Sequence, residues 1–259
     1  MEATDGAEES IAMTDWTLVE RRLEVALTPR RRPVAVAFRD EPPAGVSRFS
    51  GTEPSGCSFW RLAAEGRTFY TVPADHLNCA IGSYTHNVPL PSERAVELEQ
   101  TLDMMTGLGY VRMEEIPAIP RLERTPGAVV YAPLGDTPVD PDVVLVAGLP
   151  GRIMLLNEAA TRAGVAGLPM LGRPTCMALP AVRGGGLVAS LGCTGNRQYT
   201  DLADDELYVA IAGADLPRAV AELDGIVAAN ATLAEYHATR RRQLTSVGEP
   251  GSRARPAVS

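Results

Sequence analysis

Apolar residues recur at every third or fourth position in several stretches of the chain, and this spacing predicts amphipathic helices. In the first stretch Trp16, Val19 and Leu23 share one face, and Pro29 ends the helix soon afterwards. Short apolar runs bounded by Pro and Gly lie between these stretches and are typical of buried strands. The predicted helices cover residues 15–27, 58–65, 92–107, 151–163 and 215–228, and the predicted strands cover residues 34–38, 69–72, 128–134, 142–147 and 187–191.

The order of these elements predicts an α/β or α+β fold made of two similar halves that pack as one domain. A Tyr-Thr pair follows Cys79 by five residues and Cys193 by six, and an amphipathic helix comes later in each half. Such agreement in order indicates an internal duplication. The halves are expected at residues 14–118 and 119–239, with a Pro-rich connector at 114–126 and disordered tails at 1–13 and 240–259.

Composition narrows the classes of function and partner. A net charge of -8 and a pI near 5.0 argue against nucleic acid as a partner, which would require a basic face. No apolar run approaches the length of a membrane span, and residues 1–9 lack the blocks of a signal peptide. We therefore expect a cytoplasmic protein with no membrane contact. All 24 Lys and Arg positions are arginine, which excludes chemistry that needs a lysine.

Four cysteines form two similar pairs along the chain. Cys57 and Cys79 bracket an apolar stretch, a glycine turn and a predicted strand, and Cys176 and Cys193 bracket the same series. Four thiolates around one point are the ligands of an iron–sulfur cluster or a structural zinc ion. The separations of 22, 97 and 17 residues lack the Cys-x-x-Cys knuckles of zinc sites, so they favour a 4Fe–4S cluster held between the halves.

Other interpretations of the cysteines stay open. Structural zinc would indicate a non-catalytic binding or carrier module, or a sensor. A metal-free thiol enzyme would use Cys193 as nucleophile with His76 or His86 as base. The plain interpretation of both histidines is that they lie solvated in loops. Ordinary buried cysteines are a further alternative.

Glycine and arginine residues beside the cysteines are candidates for supporting roles. Gly82 and Gly195 follow Cys79 and Cys193 closely, and a residue without a side chain lets backbone N–H groups approach a cluster. Arg197 follows the predicted strand 187–191 and is the candidate catalytic residue, because a guanidinium can clamp a carboxylate or a phosphate.

Several short motifs follow one another along the chain. They are Pro33-Val34-Ala35-Val36, Cys57 with Ala63-x-x-Gly66, Asn78-Cys79-x-x-Gly82, Ala132-Pro133-Leu134, Pro141-Asp142-Val143-Val144-Leu145, Cys176, Cys193-x-Gly195-x-Arg197 and Asp205-Glu206-Leu207. This series, over residues 15–215, resembles the uncharacterised "domain of unknown function 169" family. The resemblance implies that all four cysteines share a site, and it implies no particular activity. Asn196 departs from the acidic residue that the family pattern favours there.

Taken together, the sequence predicts a protein that binds a 4Fe–4S cluster through Cys57, Cys79, Cys176 and Cys193. Its expected work is redox or cluster-assisted chemistry on a small anionic molecule, as an oxidoreductase or a lyase. An electron-transfer partner and a homodimer are the expected assemblies, the latter because homodimers are the commonest oligomers.

Overall fold

A computed structural model describes residues 14–246 and gives the bounds of the helices and strands there. The helices are α1 (Trp16–Leu27), α2 (Ser58–Ala64), α3 (Ala80–Thr85), α4 (Ser92–Gly107), α5 (Pro150–Arg162), α6 (Ala178–Val182), α7 (Thr194–Thr200) and α8 (Leu216–Ser246). The strands are β1 (Val34–Arg39), β2 (Phe69–Thr71), β3 (Ala128–Pro133), β4 (Val143–Gly148), β5 (Leu187–Ser190) and β6 (Leu207–Ala212). In this part of the chain no helix has the length and hydropathy needed to cross a membrane.

The strands form one sheet in the order β2-β3-β1-β4-β6-β5, and every neighbouring pair is antiparallel. The predicted mixture of helices and strands is confirmed. The five predicted strands are all present, and each end lies within one residue of its predicted position. The sheet also contains β6, which was not predicted, and its antiparallel pairing corresponds to the α+β form of the predicted fold.

The sheet has the same strand order on either side of its centre. β1 and β4 pair in the middle, with Val34 opposite Leu145. In each group of three strands, the third pairs with the first over six residues and the second lies at the outer edge. Val34 faces Pro133 in the first group, as Val143 faces Ala212 in the second. The topology therefore divides the sheet into β1–β3 and β4–β6.

The predicted boundary between the halves differs from this division of the sheet. A boundary at residues 118 and 119 assigns β3 to the second half, whereas β3 pairs with β1 and β2. In the sheet, β3 is the last strand of the first group and β4 is the first strand of the second group. The reason is that β3 is distant in sequence from its partners, so that only the pairing itself reveals where it belongs.

Alternating side chains of the sheet face two separate helical layers, as the period of two in a strand requires. On one face, Tyr131 and Leu145 share a core with α2 and α6, and α7 packs against α2. On the other face, Val144 and Ile211 share a core with α1, α5 and α8. Because both faces are covered, the strands are apolar along most of their length. Cys57 and Cys176 belong to the core on the α2 and α6 face.

Local sequence explains where several elements begin and end. The Asp15 carboxylate accepts a hydrogen bond from the Leu18 N–H and so caps α1. Thr28 adopts a left-handed conformation after α1, and its N–H bonds to the Glu24 carbonyl. Pro150 occupies the first turn of α5, where it costs no hydrogen bond. These are the start and stop signals that made both helices predictable.

α8 is much longer than predicted. Its expected end near Ala228 is followed by further helix up to Ser246, and most of that extension is exposed. Residues 240–246, expected in a disordered tail, therefore belong to the helix. The rest of that tail, residues 247–259, and the tail at 1–13 lie outside the described residues.

The two ends of α8 should respond differently to the same substitution. Leu223 is fully buried in the core that α8 shares with α1 and α5, whereas Leu233 is 56% exposed. Leu223→Ala should lower the free energy of unfolding by about 2–5 kcal/mol, because it removes core contacts and leaves a cavity. The matched control Leu233→Ala should change it by less than about 0.5 kcal/mol. Urea unfolding followed by circular dichroism measures both. Similar losses in the two variants would contradict the burial of the first half of α8.

Candidate functional site

The four cysteines each lie where a short helix begins. Cys57 directly precedes α2, and Cys176 lies in the 3-10 turn that leads into α6. Cys79 is the N-cap residue of α3, and Cys193 is the N-cap residue of α7. In each half of the chain, therefore, the first cysteine comes before a helix, and the edge strand follows that helix. The second cysteine comes after the edge strand.

The register of the sheet shows that the first cysteines of the two pairs are in equivalent places. Phe69 of β2 lies opposite the fourth residue of β3, and Val188 of β5 lies opposite the fourth residue of β6. Cys57 precedes Phe69 by twelve residues, and Cys176 precedes Val188 by the same number. The first cysteines of the two pairs are thus alike in their relation to the sheet, whereas Cys79 follows Phe69 by ten residues and Cys193 follows Val188 by five.

The four thiols are electrostatic neighbours, although they come from both halves. Cys57 and Cys176 are each 5% exposed, Cys79 and Cys193 are partly exposed, and no disulfide joins them. Burial, and after it the charges of Cys79 and Cys193, raise the pKa of Cys57 to about 12. Burial, followed by the charges of the other three cysteines, also raises the pKa of Cys176. The predicted ligands therefore lie in one neighbourhood.

Within each half, a hydroxyl group beside the first cysteine reaches the second. The Ser55 hydroxyl accepts a hydrogen bond from the Cys57 N–H at 3.3 Å and donates to the Cys79 sulfur at 3.7 Å. The Thr175 hydroxyl accepts from the Cys193 N–H at 2.6 Å. Because these bonds link residues distant in sequence, they fix the second cysteine of each pair beside the first.

Across the halves, two polar side chains influence the buried thiols in a crossed manner. Thr85 of α3 moderates the rise in the pKa of Cys176. Asn196 of α7 does the same for Cys57. Each half therefore supports a cysteine of the other half. The interface between the halves and the neighbourhood of the cysteines are the same region.

The two candidate glycines differ in how closely they approach sulfur. The Gly82 N–H donates to the Cys79 sulfur at 3.2 Å. A Cβ at Gly82 would lie 3.0 Å from that sulfur, so a side chain there would displace it. A Cβ at Gly195 would meet only the Tyr199 ring, at an ordinary 3.8 Å. Gly195 therefore makes no close approach to sulfur, and its predicted role beside a cluster stays a prediction.

Arg197 is held by backbone carbonyls. Its guanidinium donates to the carbonyl oxygens of Ala203 and Glu206, at 2.7 and 2.9 Å, and also to that of Leu191. Three of its five N–H donors are therefore engaged in joining the loops on either side of α7. Its predicted role in binding an anion stays a prediction, and it would depend on the remaining donors.

The interpretation of His76 and His86 as solvated loop residues is wrong. They are 1% and 2% exposed, and their rings stack with centroids 4.9 Å apart. His86 Nδ1 donates to the Gly82 carbonyl at 2.8 Å, and His76 Nε2 bonds to the Thr71 hydroxyl at 2.8 Å. Among the hydrogen bonds of residues 14–246, none joins either ring to Cys193. Sequence reasoning missed this burial because Asn and Asp neighbours made the region look polar.

Burial lowers the pKa of both histidines. The pKa of His86 falls to about 4, and that of His76 falls well below its ordinary value through burial and then through the charge of His86. Both rings are therefore neutral at pH 7. As neutral rings they brace α3, whose N-cap is Cys79.

Several buried polar atoms near the cysteines have no hydrogen-bond partner among the described residues. They include the Tyr131 hydroxyl and both amide atoms of Asn196. Burial, and then the charges of Cys57 and Cys176, raise the pKa of Tyr131, which places its hydroxyl beside both thiols. Sequence reasoning missed Tyr131, and the only signal was one hydroxyl-bearing residue in an otherwise apolar strand. Unpaired buried polar atoms are rare in folded proteins, where a bound water, ion or ligand usually satisfies such groups.

The described cysteines are not arranged around a single metal ion. Over residues 14–246 no three His, Cys, Asp or Glu side chains form a group that would hold one. Sulfur ligands of one zinc ion, at about 2.3 Å from it, must lie within about 4.6 Å of one another. A cluster of several iron and sulfur atoms accepts thiolates that are farther apart.

A comparison with known families places the chain. The model of the uncharacterised ArCR family, domain of unknown function 169, matches residues 22–222, which is most of the chain, so the protein belongs to this family. The resemblance carried by the cysteine motifs is thereby confirmed. No curated protein and no solved structure matches the chain.

The buried histidines should make the metal-free protein sensitive to acid. A histidine whose pKa is about 4 when folded and about 6.5 when unfolded stabilises the fold above pH 6.5, and this contribution is lost as the pH falls toward 4. His86→Gln should therefore reduce the pH dependence of the free energy of unfolding by up to about 1.4 kcal/mol per pH unit in that window. Urea unfolding at several pH values between 7 and 4 measures the slope.

His237→Gln is the matched control, because His237 lies exposed on the extension of α8. It should leave the slope as it is in the wild type. An unchanged slope for His86→Gln would show that His86 is not buried as a neutral ring.

Proposed function

We propose that this protein binds a 4Fe–4S cluster through Cys57, Cys79, Cys176 and Cys193, and uses it for redox or cluster-assisted chemistry on a small anionic molecule. One observation carries the proposal. Both halves bring two cysteines each, the first of each pair from an equivalent place, into a neighbourhood where the thiols influence one another's charge. Four thiolates from a rigid scaffold are the usual ligand set of such a cluster.

The chemistry of the surrounding groups fits thiolate ligands. The Gly82 N–H and the Ser55 hydroxyl donate to the Cys79 sulfur, and donors to sulfur stabilise the thiolate form. In the metal-free protein the pKa of Cys57 is about 12, so this thiol keeps its proton at pH 7. Bound iron would replace the protons, because a metal ion competes with them for sulfur.

Zinc is the weaker alternative for this site. The wide sequence separations, and the lack of a single-ion group in the described part of the chain, both favour a larger cofactor. A metal-free thiol enzyme is weaker still, because the buried histidines offer Cys193 no hydrogen-bonded base in residues 14–246. The burial of Cys57 and Cys176 also suits joint use of the thiols better than the use of one.

The exposure of the cysteines suggests how the site works. Cys79 and Cys193 are partly exposed, whereas Cys57 and Cys176 are buried, so the site is open toward solvent on one side. When bound, the cluster would supply one-electron transfer or a Lewis-acidic iron. A small anion would approach from the open side, near Arg197. Burial of the other two cysteines would exclude water from the inner side.

The matching strand order and register support a duplicated origin of the two halves. Such an origin would explain why each half contributes two of the four ligands. The cytoplasmic location, the electron-transfer partner and the homodimer stay predictions.

Anaerobic purification followed by a visible spectrum and by iron, sulfide and zinc analysis tests the proposal. The wild type should be coloured and should hold about four irons and four sulfides per chain. Cys176→Ser should lose most of the iron and sulfide while it keeps its circular dichroism, because one buried ligand is gone. The matched control Met177→Leu changes the next buried residue and should keep both.

The other results each have a clear meaning. About one zinc per chain without sulfide would overturn the cluster and support a structural or sensor role. A folded protein that stays free of metal after anaerobic reconstitution would overturn every metal site here and favour the thiol enzyme.

A further inference from the structure

The second half of α8 is a long helical segment without a buried face. From Ala228 to Thr245 the side chains are exposed, apart from Asn230 and Thr239, which are half-buried. A helix in a protein gains most of its stability from the packing of an apolar face, and less from its own hydrogen bonds. Within residues 14–246 nothing covers a face of this segment, so that its apolar side chains are available to a partner.

One side of α8 carries residues with the spacing of a coiled coil. Steps of four and three positions alternate along this side, which we name the α8 stripe: Glu222, Ile226, Ala229, Leu233, Tyr236 and Arg240. Ile226 is half-buried at the edge of the core, whereas Leu233 and Tyr236 are each 56% exposed. The middle of the stripe is therefore apolar and open to solvent, as in a helix that packs on a second helix.

The two ends of the α8 stripe carry opposite charges. Glu222 begins the stripe, and Arg240 ends it as the first of three consecutive arginines, 240–242. Within residues 14–246 the Arg240 guanidinium has no ion pair, while the Arg162 Nε lies 2.7 Å from the Glu222 Oε2. Since a carboxylate accepts from more than one donor, Glu222 can bind a second cation. The stripe therefore offers both an unpaired cation and an acidic partner for one.

Reversal of its direction makes the α8 stripe complementary to itself. In an antiparallel pair of two copies, Leu233 of one copy can face Ala229 of the other. Tyr236 then faces Ile226, so that a larger side chain meets a smaller one in both places. In the same register the acidic end of each stripe faces the basic end of the other. A parallel pair in register would instead bring arginines 240–242 of both copies together, where like charges repel.

We propose that the α8 stripe is the interface of a homodimer, in which it packs antiparallel on the same stripe of a second copy of this chain. The pairing extends over residues 222–240 of each copy, about 27 Å of helix. It covers the exposed apolar side chains and gives Arg240 an acidic partner. Two helices of this length bury a modest area, so we expect a reversible dimer with a dissociation constant on the order of micromolar. The pairing requires no cofactor and is independent of the proposed function.

Analytical ultracentrifugation of the full chain, from about 1 to about 100 µM and with a reductant that prevents disulfide dimers, tests the inference. The wild type should pass from monomer to dimer over this range. Leu233→Glu should raise the dissociation constant at least about tenfold, because it places a charge in the paired apolar face. Its circular dichroism at low concentration should equal that of the wild type. The small effect of Leu233→Ala on unfolding likewise refers to concentrations at which the chain is a monomer.

Reversal of charge tests the direction of the pairing. Arg240→Glu should raise the dissociation constant about fivefold, because it sets two carboxylates opposite each other at both ends of the interface. Glu222→Arg in the same chain should restore the wild-type value. Arg242→Glu is the matched control, since it makes the same change in charge at an exposed position on the opposite side of the helix. It should leave the dissociation constant within about twofold of the wild type.

Three results would contradict the proposal at different levels. A chain that stays monomeric over the whole range would overturn the pairing, and would leave the α8 stripe to residues 247–259 or to a different protein. A dimer that Leu233→Glu leaves unchanged would overturn this surface as the interface. A double charge variant as weak as Arg240→Glu alone would overturn the antiparallel direction.

Discussion

The antiparallel pairing of β1 with β4 at the centre of the sheet is the constraint on which the rest of the structure depends. Val34 lies opposite Leu145, and both strands are buried on both faces. A slip of one residue would turn every side chain of a strand to the other face, so that burial fixes this register. Because this antiparallel pair joins the two groups of strands side by side, the helices that carry the cysteines of both halves meet on one face of the sheet.

The burial of the Cys57 and Cys176 thiols determines the chemistry of the region where the helices of the two halves meet. Cys57 and Cys176 lie in the core between the sheet and α2 and α6, where an ionised group is unfavourable. A buried cysteine in the neutral form behaves as a small apolar side chain. Unpaired polar atoms of Tyr131 and Asn196 beside them are the opposite of what an apolar core requires. The proposed cluster would fit both observations, since its irons would take the thiols as ligands and its sulfide ions would accept hydrogen bonds from neighbouring donors.

How much of the fold and of the candidate site could be predicted depends on whether each sequence signal is local or comes from contacts between distant segments. Five strands were found to within one residue, because apolar runs and Pro or Gly boundaries are local. β6 was missed although its Leu-Tyr-Val-Ala-Ile-Ala run carries the same signal, since no glycine or proline sets off its beginning. The cysteines were predicted as a set, because the order of elements around each pair repeats, and their joint use as ligands stays a prediction. Burial of His76 and His86, and the three carbonyls around Arg197, depend on contacts between distant segments that no local pattern contains.

The two groups of strands have the same topology, but they differ in the side chains that lie near the cysteines. Tyr131 of β3 stands where β6 has Ala210, so at this strand position a hydroxyl group comes from the first group of strands alone. Gly82 and Asn196 likewise occupy corresponding places, three residues after a cysteine, but the Gly82 N–H donates to the Cys79 sulfur whereas the Cys193 side chain accepts no capping bond from α7. Four ligands on a symmetric frame would be interchangeable in pairs, and a cofactor among them would have no preferred direction. In the proposed site, unequal donors would make the four sulfurs inequivalent, and this inequivalence would give a bound cluster a distinct inner and outer side.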